Sequence, residues 1–130
     1  MQFPPHGSFS LKVEKEILFV DATGPFNEEI ALLYLSQYRD IIMKFQPKAQ
    51  ISTLHGSCIF SREIQEHLRK LHEWNFETGN IIEAIILDTD ISEHTLFKKQ
   101  LERTRINTNA PYALFDTQEE AFRWVQSQLN

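Results

Sequence analysis

The sequence is poor in the residue types that mark several large classes of protein. It contains 1 cysteine, 4 glycines and 5 prolines among 130 residues. The single cysteine, Cys58, excludes an intrachain disulfide and makes a cysteine-based zinc site unexpected. The longest apolar runs fall far short of the roughly 20 residues that a membrane-spanning helix needs. The chain is therefore expected to span no membrane.

Positive charge is also in deficit. The chain has 13 Lys and Arg residues against 18 Asp and Glu residues, for a formal net charge of −5. Proteins bind nucleic acids mainly through clustered Lys and Arg, whereas these residues are scattered among acidic ones here, so no nucleic-acid partner is expected. Residues 1–7 lack the basic region and apolar stretch of a signal peptide, which predicts a cytoplasmic location.

What the sequence does contain is material for a hydrophobic core. Hydrophobic residues make up 42% of the chain and include 10 Phe and 2 Trp. Such a chain is able to bury enough surface to fold, which excludes intrinsic disorder. Its length predicts one domain. We assign residues 8–130 to that domain and residues 1–7 to an N-terminal lead.

The spacing of apolar residues predicts the order ββαβαβαβα. The predicted strands cover residues 9–14, 16–22, 49–55, 81–87 and 112–115. The predicted helices follow the capping residues Asn27, Ser61 and Thr117 or open at Ser92. The first two strands are close enough for an antiparallel hairpin with a tight turn near Lys15, and helical crossovers make the later strands parallel.

This order predicts an α/β fold with one five-stranded, mostly parallel sheet, an N-terminal antiparallel hairpin and four helices. The first strand alternates between apolar and polar residues, which indicates an edge position. The strand at residues 81–87 is apolar on both faces apart from Glu83, so a central position is predicted for it. The strand at residues 49–55 is more polar, with Ile51 and Leu54 as its clearest core residues.

Two strings, taken with this order of elements, resemble the SpoIIAA-like family. The first is ILFVDATGPFN, from Ile17 to Asn27, and the second is YALFDTQEEAFRW, from Tyr112 to Trp124. The resemblance covers residues 8–129 and extends to STAS-type domains, which are compared with Sec14 lipid-binding domains. It implies a small bacterial domain used for regulation or protein interaction, with no established enzyme activity for the group.

One turn departs from the pattern of the bacterial anti-anti-sigma factors of the STAS type. In that group, an Asp-Ser-Ser-Gly-like turn after the third strand carries a regulatory phosphoserine. The matching turn here, HGSCIFS at residues 55–61, has no Asp before its Ser, and Ser57 is the nearest positional match. The resemblance therefore does not predict phosphorylation of this turn, and Ser57 is only a candidate site of modification.

Polar side chains and one aromatic gather where the predicted strands end. Ligands of open parallel sheets bind outside the carboxyl ends of the strands, so these residues form candidate loops for a ligand or partner. The candidates are Asp21, Thr23, Phe26, Asn27, His55, Ser57, Asp88 and Asp90. Phe26 either staples the first helix or offers an aromatic contact to a partner or apolar ligand.

Neither a metal site nor a catalytic centre is predicted from these residues. Asp21, Asp88, Asp90 and Asp116 offer oxygen ligands for Mg²⁺ or Ca²⁺, but Asp is common in turns because its side chain bonds to nearby backbone N–H groups. His55, Ser57 and Cys58 include a base and two nucleophiles, but no orienting group is specified. Cys58 is expected to be a buried small hydrophobe. We expect no cofactor.

Three hypotheses for function remain open. The first, which the sequence favours over the two alternatives, is a noncatalytic regulatory or protein-interaction domain that forms a homodimer. Phe122 and Trp124 lie about 200° apart on the last helix, so one of them is expected to be exposed for such an interface. The second is a binder or carrier of a small apolar or lipid-like ligand, held between helices and sheet. The third is a metal-dependent phosphotransfer enzyme that uses the acidic loops.

Overall fold

The computed structural model describes residues 7–78, 81–88, 91–104 and 111–130, apart from the side chains of Phe76, Ile91 and Ser92. Residues 1–6 of the predicted lead and the candidate Asp90 lie outside this part of the chain. The elements are β1 Ser8–Glu14, β2 Ile17–Thr23, α1 Glu28–Phe45, β3 Ala49–His55, α2 Arg62–Thr78, β4 Ile82–Asp88, α3 Ile91–Thr104, β5 Tyr112–Phe115 and α4 Gln118–Leu129. The predicted order ββαβαβαβα is confirmed.

The strands form one sheet in the order β1-β2-β3-β4-β5. β1 pairs with β2 in antiparallel register, and the other neighbours are parallel. The predicted hairpin and the edge position of β1 are therefore confirmed, and Lys15 takes a left-handed φ of 55° in the turn. The middle strand is β3, whereas β4, for which we predicted a central position, is interior but lies beside the edge strand β5.

Helices cover both faces of the sheet. α1, α2 and α3 lie on one face, because right-handed crossovers along a sheet that grows in one direction place every connecting helix on the same side. There Leu18 and Val20 of β2 pack against Leu35 and Tyr38 of α1. α4 lies on the opposite face, where its Ala121 and Val125 join a core with β2, β3 and β4 residues.

Side-chain caps begin three of the helices where the sequence predicts them. Oδ1 of Asn27 accepts a hydrogen bond from the Ile30 N–H at 3.1 Å. The Ser61 hydroxyl accepts from the Ile64 N–H at 3.2 Å, and Thr117 accepts from Glu120 at 3.2 Å. Each cap satisfies a backbone donor that the first helical turn leaves unpaired. The α3 helix begins one residue earlier than predicted, so Ser92 lies inside it.

None of the helices in the described ranges combines the length and the apolar character that crossing a bilayer would need.

Candidate functional site

A cavity of about 120 Å³ lies between the sheet and helices α1, α2 and α3. Most of its lining is aromatic or aliphatic, including Phe9, Phe26, Ile30, Phe60, Leu71 and Phe97. Three polar side chains of the sheet, Gln50, Ser52 and Glu83, also line it. An apolar cavity with a few convergent polar groups is the usual form of a small-molecule site.

The alternation of side chains along the strands explains this lining. Residues at even positions of β2 and β3 face α1 to α3, so Ala22, Ser52 and Leu54 point toward the cavity while their neighbours face α4. Ala22, Ser52 and, on α1, Ala31 are small. Small side chains at these positions leave open space between the sheet and the helices that larger core residues would fill.

The polar part of the lining is a connected hydrogen-bond network. The Gln50 amide nitrogen donates to the Ser52 hydroxyl at 2.8 Å and to Oε2 of Glu83 at 3.0 Å. The Ser52 hydroxyl donates to the same carboxylate oxygen at 3.0 Å. Gln50 and Glu83 are direct partners in the β3–β4 register, which places their side chains together on the helix-facing side. We call Gln50, Ser52 and Glu83 the polar floor.

Two helical side chains extend the polar floor. The Tyr38 hydroxyl of α1 donates to Oε1 of Gln50 at 2.5 Å. The Asn75 amide of α2 donates in turn to the Tyr38 oxygen at 2.7 Å. The bonds thus run in one direction, from Asn75 through Tyr38 and Gln50 to the Glu83 carboxylate. Buried polar groups need such partners, and a connected network holds each side chain in one orientation.

The sequence alone does not identify this network. Gln50 and Ser52 are only 6% and 3% exposed, although their polarity indicates a partly solvated strand. Glu83 appears in the sequence as an interruption of an apolar strand. The one available signal is that all three occupy helix-facing positions of interior strands, where polar residues are uncommon without partners.

The other end of the cavity is aromatic. The rings of Phe26 and Phe60 stack with their centroids 5.7 Å apart, and Phe60 lies 6.1 Å from Phe97. Phe26 follows β2 and Phe60 follows β3, so this end lies at the carboxyl ends of the strands. Among the predicted site residues, Phe26 is thus placed in the cavity lining. Its half-buried ring packs against Phe60 and also lines the cavity.

Three other predicted residues meet on the opposite face of the sheet. Nδ1 of His55 lies 3.0 Å from Oδ2 of Asp88, and Nε2 lies 3.3 Å from Oδ2 of Asp21. The hydrogen bond to Asp88 raises the pKa of His55 above its ordinary value, against a smaller opposing effect of partial desolvation, and Asp21 adds to the rise. The imidazole therefore ties the ends of β2, β3 and β4 together.

The comparisons with known proteins bear on the fold. No protein-family model and no curated protein matches the sequence. Among solved structures, the chain is similar to a DUF3478-family protein from Shewanella loihica PV-4 with a SpoIIAA-like fold, at a TM-score of 0.62 and 13% identity. The match covers 95% of this chain and 97% of that one. The chain has a SpoIIAA-like fold. This confirms the fold that the strings around Ile17 and Tyr112 predict.

In this SpoIIAA-like fold, the turn after β3 contacts helix α3 through Ser57. The Ser57 hydroxyl donates to a carboxylate oxygen of Glu93 at 2.7 Å. A phosphate on Ser57 would place negative charge beside Glu93, which is unfavourable. The α2 helix begins only at Arg62, so Ser57 lies outside its first turn. Modification of Ser57 stays a prediction.

The remaining predicted residues of the SpoIIAA-like domain have structural roles or lie at the surface. Cys58 is buried, as expected. The pKa of its thiol is raised to about 12, mainly by burial and to a lesser extent by the nearby negative charge of Glu93. Asn27 caps α1, while Thr23 is exposed at the end of β2. In the described part of the chain, no group of three or more His, Cys, Asp and Glu side chains is arranged to hold a metal ion. Asp21 and Asp88 contact different ring nitrogens of His55, so the imidazole lies between the two carboxylates. The three side chains therefore do not point toward one common position that a metal ion could occupy.

Proposed function

We propose that this SpoIIAA-like domain binds a small, mainly apolar ligand in the cavity between its sheet and helices α1 to α3, without catalysing a reaction on it. The cavity itself carries the proposal, because it offers about 120 Å³ of space beside a mostly apolar lining. For comparison, an engineered apolar cavity of roughly 150 Å³ in another protein binds benzene.

The apolar lining of the cavity supports this function. Most of the lining is aromatic or aliphatic, and a ligand that covers such surface removes it from water, which is favourable. A ligand in contact with Ile30, Leu71 and Phe97 binds only the folded chain, because these residues come together only on folding, and so it stabilises the folded state.

The noncatalytic part of the proposal is supported by how the nucleophilic side chains near the strand ends are used. The Cys58 thiol is buried with a raised pKa, which keeps it protonated at neutral pH. The Ser57 hydroxyl donates to the carboxylate of Glu93 and not to His55, whose ring nitrogens face Asp21 and Asp88. His55 is held by two carboxylates on the face of the sheet away from the cavity.

Native mass spectrometry of the freshly purified protein tests the proposal. We expect the wild-type chain to carry additional non-covalent mass, or to acquire it on incubation with 1-octanol. Ala31→Phe, which fills the cavity from α1, is expected to abolish this mass. Leu32→Phe is the matched control, since Leu32 is 46% exposed on the same helix. Equal loading of wild type and Ala31→Phe would contradict the proposal.

A second candidate function is protein interaction, with a homodimer as its simplest form. The observation that favours it is a set of large apolar side chains exposed on the helices. These are Leu32, Leu33, Met43, Phe45, Leu96 and Phe122. Phe122 is the exposed member of the pair with Trp124, which packs against the core of the α4 face, as the helical spacing predicts. Aromatic residues and Met are enriched in protein interfaces.

Light scattering over a range of protein concentrations tests this second function. A dimer that Phe45→Ser and Phe122→Ser convert to a monomer would support it. A wild-type monomer at high concentration would exclude the homodimer. The homodimer and the cytoplasmic location stay predictions.

A further inference from the structure

We infer that the ligand is an aromatic compound whose ring lies against Phe60, at the aromatic end of the cavity. This inference rests on the proposed binding function and adds the chemical class of the ligand. It follows from the placement of aromatic side chains around that end and from the hydrogen bonds that hold Phe60 in place.

Aromatic side chains are concentrated in the cavity lining. Six of its 22 residues are Phe or Tyr, whereas Phe, Trp and Tyr together make up 12% of the chain. On the opposite face of the sheet, the buried residues of the core beneath α4 are Ala, Ile and Val. The enrichment is therefore a feature of the cavity and not of both core faces alike. The six aromatic residues are Phe9, Phe26, Tyr34, Tyr38, Phe60 and Phe97.

The rings approach the aromatic end of the cavity from two sides. On one side, Phe9 of β1 meets Tyr34 of α1 edge-on, with ring centroids 5.4 Å apart and ring planes at 89°. On the other side, Phe60 contacts both Phe26 and Phe97. β1 is one edge of the sheet, whereas Phe97 belongs to α3, which follows β4 further across the sheet. A ligand at this end is therefore flanked by aromatic side chains on both sides.

The backbone of Phe60 is held in place by two helices, although residues 57–61 form neither helix nor strand. Its N–H donates to Oε1 of Gln100 on α3 at 3.0 Å, and its carbonyl accepts from the Gln65 side-chain amide of α2 at 2.9 Å. Gln100 is buried and also lines the cavity. Because its backbone is fixed in this way, Phe60 presents its ring to a ligand with little loss of conformational freedom on binding.

An aromatic ligand gains more from this lining than a saturated ligand with the same carbon skeleton. The face of an aromatic ring is negative and its edge is positive, so two rings attract each other beyond the effect of buried area. The lining already contains both favourable arrangements, since Phe26 stacks on Phe60 and Phe9 meets Tyr34 edge-on. A saturated ring lacks this charge distribution, so it gains only from the burial of apolar surface.

Titration with benzyl alcohol and with its saturated counterpart, cyclohexylmethanol, tests the inference. Both ligands carry one hydroxyl on the same carbon skeleton, so hydrogen bonds to the polar lining residues are matched between them. Dissociation constants for the full chain are measured from shifts of methyl NMR signals. The two affinities are compared as a ratio within each protein variant. The different cost of removing the two ligands from water then cancels between variants.

Two variants assign the preference to the aromatic lining. Phe60→Leu keeps an apolar side chain and removes the ring, so the affinity for benzyl alcohol relative to cyclohexylmethanol is expected to fall about fivefold. Phe26→Leu is expected to lower the same ratio, and it keeps the test valid if Phe60→Leu fails to fold. Leu68→Ala is the matched control, because it shortens an aliphatic lining residue. It should weaken the binding of both ligands and leave the ratio unchanged.

The outcomes separate this inference from the function on which it rests. If 1-octanol and the two ring compounds all fail to bind, the proposed binding function fails, and the inference fails with it. If 1-octanol binds but benzyl alcohol does not, the inference is overturned while the binding function stands. The same holds if the ratio is equal in wild type, Phe60→Leu and Phe26→Leu. An equally large fall of the ratio in Leu68→Ala also overturns the inference, because contact with aromatic rings would then not be its cause.

Discussion

Nδ1 of His55 lies 3.0 Å from Oδ2 of Asp88, across the ends of two neighbouring parallel strands. The two residues are register partners in the β3–β4 pair, and both side chains face away from helices α1 to α3. The contact joins the middle strand of the sheet to β4 and, through Asp21, to β2. Because a histidine titrates near neutral pH, this contact makes part of the stability of the sheet depend on pH.

We predict that stability from His55 falls as the pH rises. The pKa of His55 is raised in the folded state, so folding favours the protonated form. This stabilisation is fully present below the unfolded pKa of about 6.5 and is lost as the pH rises through the higher folded pKa. The effect is modest, since the side chain is 34% exposed and solvent screens the interaction.

Thermal melts between about pH 5 and pH 9 measure this effect. The melting temperature of the wild type is expected to fall as the pH rises over this range. The melting temperature of His55→Gln is expected to fall less. His67→Gln serves as the matched control, because it removes an equally exposed histidine and leaves the His55 contacts intact. Identical pH profiles for wild type and His55→Gln would refute the prediction.

The two carboxylates are predicted to act unequally on His55. Asp88 is the nearer partner and its hydrogen bond is the largest cause of the raised pKa, while Asp21 contributes less. Asp88→Asn should therefore lower the pKa of His55 more than Asp21→Asn does. Titration of the His55 ring protons by NMR in both variants checks the order. A larger fall in Asp21→Asn would show that the longer contact dominates.

Gly24→Ala is predicted to destabilise the fold by about 1–3 kcal/mol, the range typical of overpacking. The Gly24 N–H donates to the His55 carbonyl at 2.9 Å, which brings the loops after β2 and β3 together. A Cβ on Gly24 would lie 1.7 Å from the Ser57 carbonyl oxygen, so one of the loops must move. Urea unfolding measures the change, with the exposed neighbour Thr23→Ala as control. Equal midpoints for the two variants would exclude the clash.

The Cys58 thiol is predicted to react slowly with thiol reagents in the folded protein. Its side chain is buried, and burial raises its pKa to about 12, so little thiolate is present at neutral pH. Reaction with a disulfide reagent, followed by absorbance, should be slow in buffer and complete in denaturant. Fast reaction of the native protein would instead indicate an accessible thiolate.

Local sequence signals account for most of the fold. The N-caps at Asn27, Ser61 and Thr117 are determined by neighbouring residues, so their positions are predictable from the chain alone. The turn at Lys15 follows in the same way from two apolar segments that are almost contiguous. The predicted meeting of strand ends also places Asp21, His55 and Asp88 at one edge.

The cavity depends on long-range packing that local patterns do not encode. Gln50 and Ser52 give β3 the polarity of a partly exposed strand, yet β3 occupies the middle of the sheet. Their burial is stabilised by Tyr38 from α1 and by Glu83 from β4, which lies 33 residues beyond Gln50 in the chain. Such partners become visible only once the register of β3 and β4 is known.

The most direct test of the central claim is to map ligand binding residue by residue. Methyl NMR spectra of the labelled protein would be recorded while 1-octanol is added. We predict that the shifts concentrate on cavity methyls such as those of Ala31, Ile64 and Ile85, and that the methyls of Ala121 and Val125 on the opposite face stay unchanged. Shifts confined to Ala121 and Val125, or no shifts at saturating octanol, would contradict it.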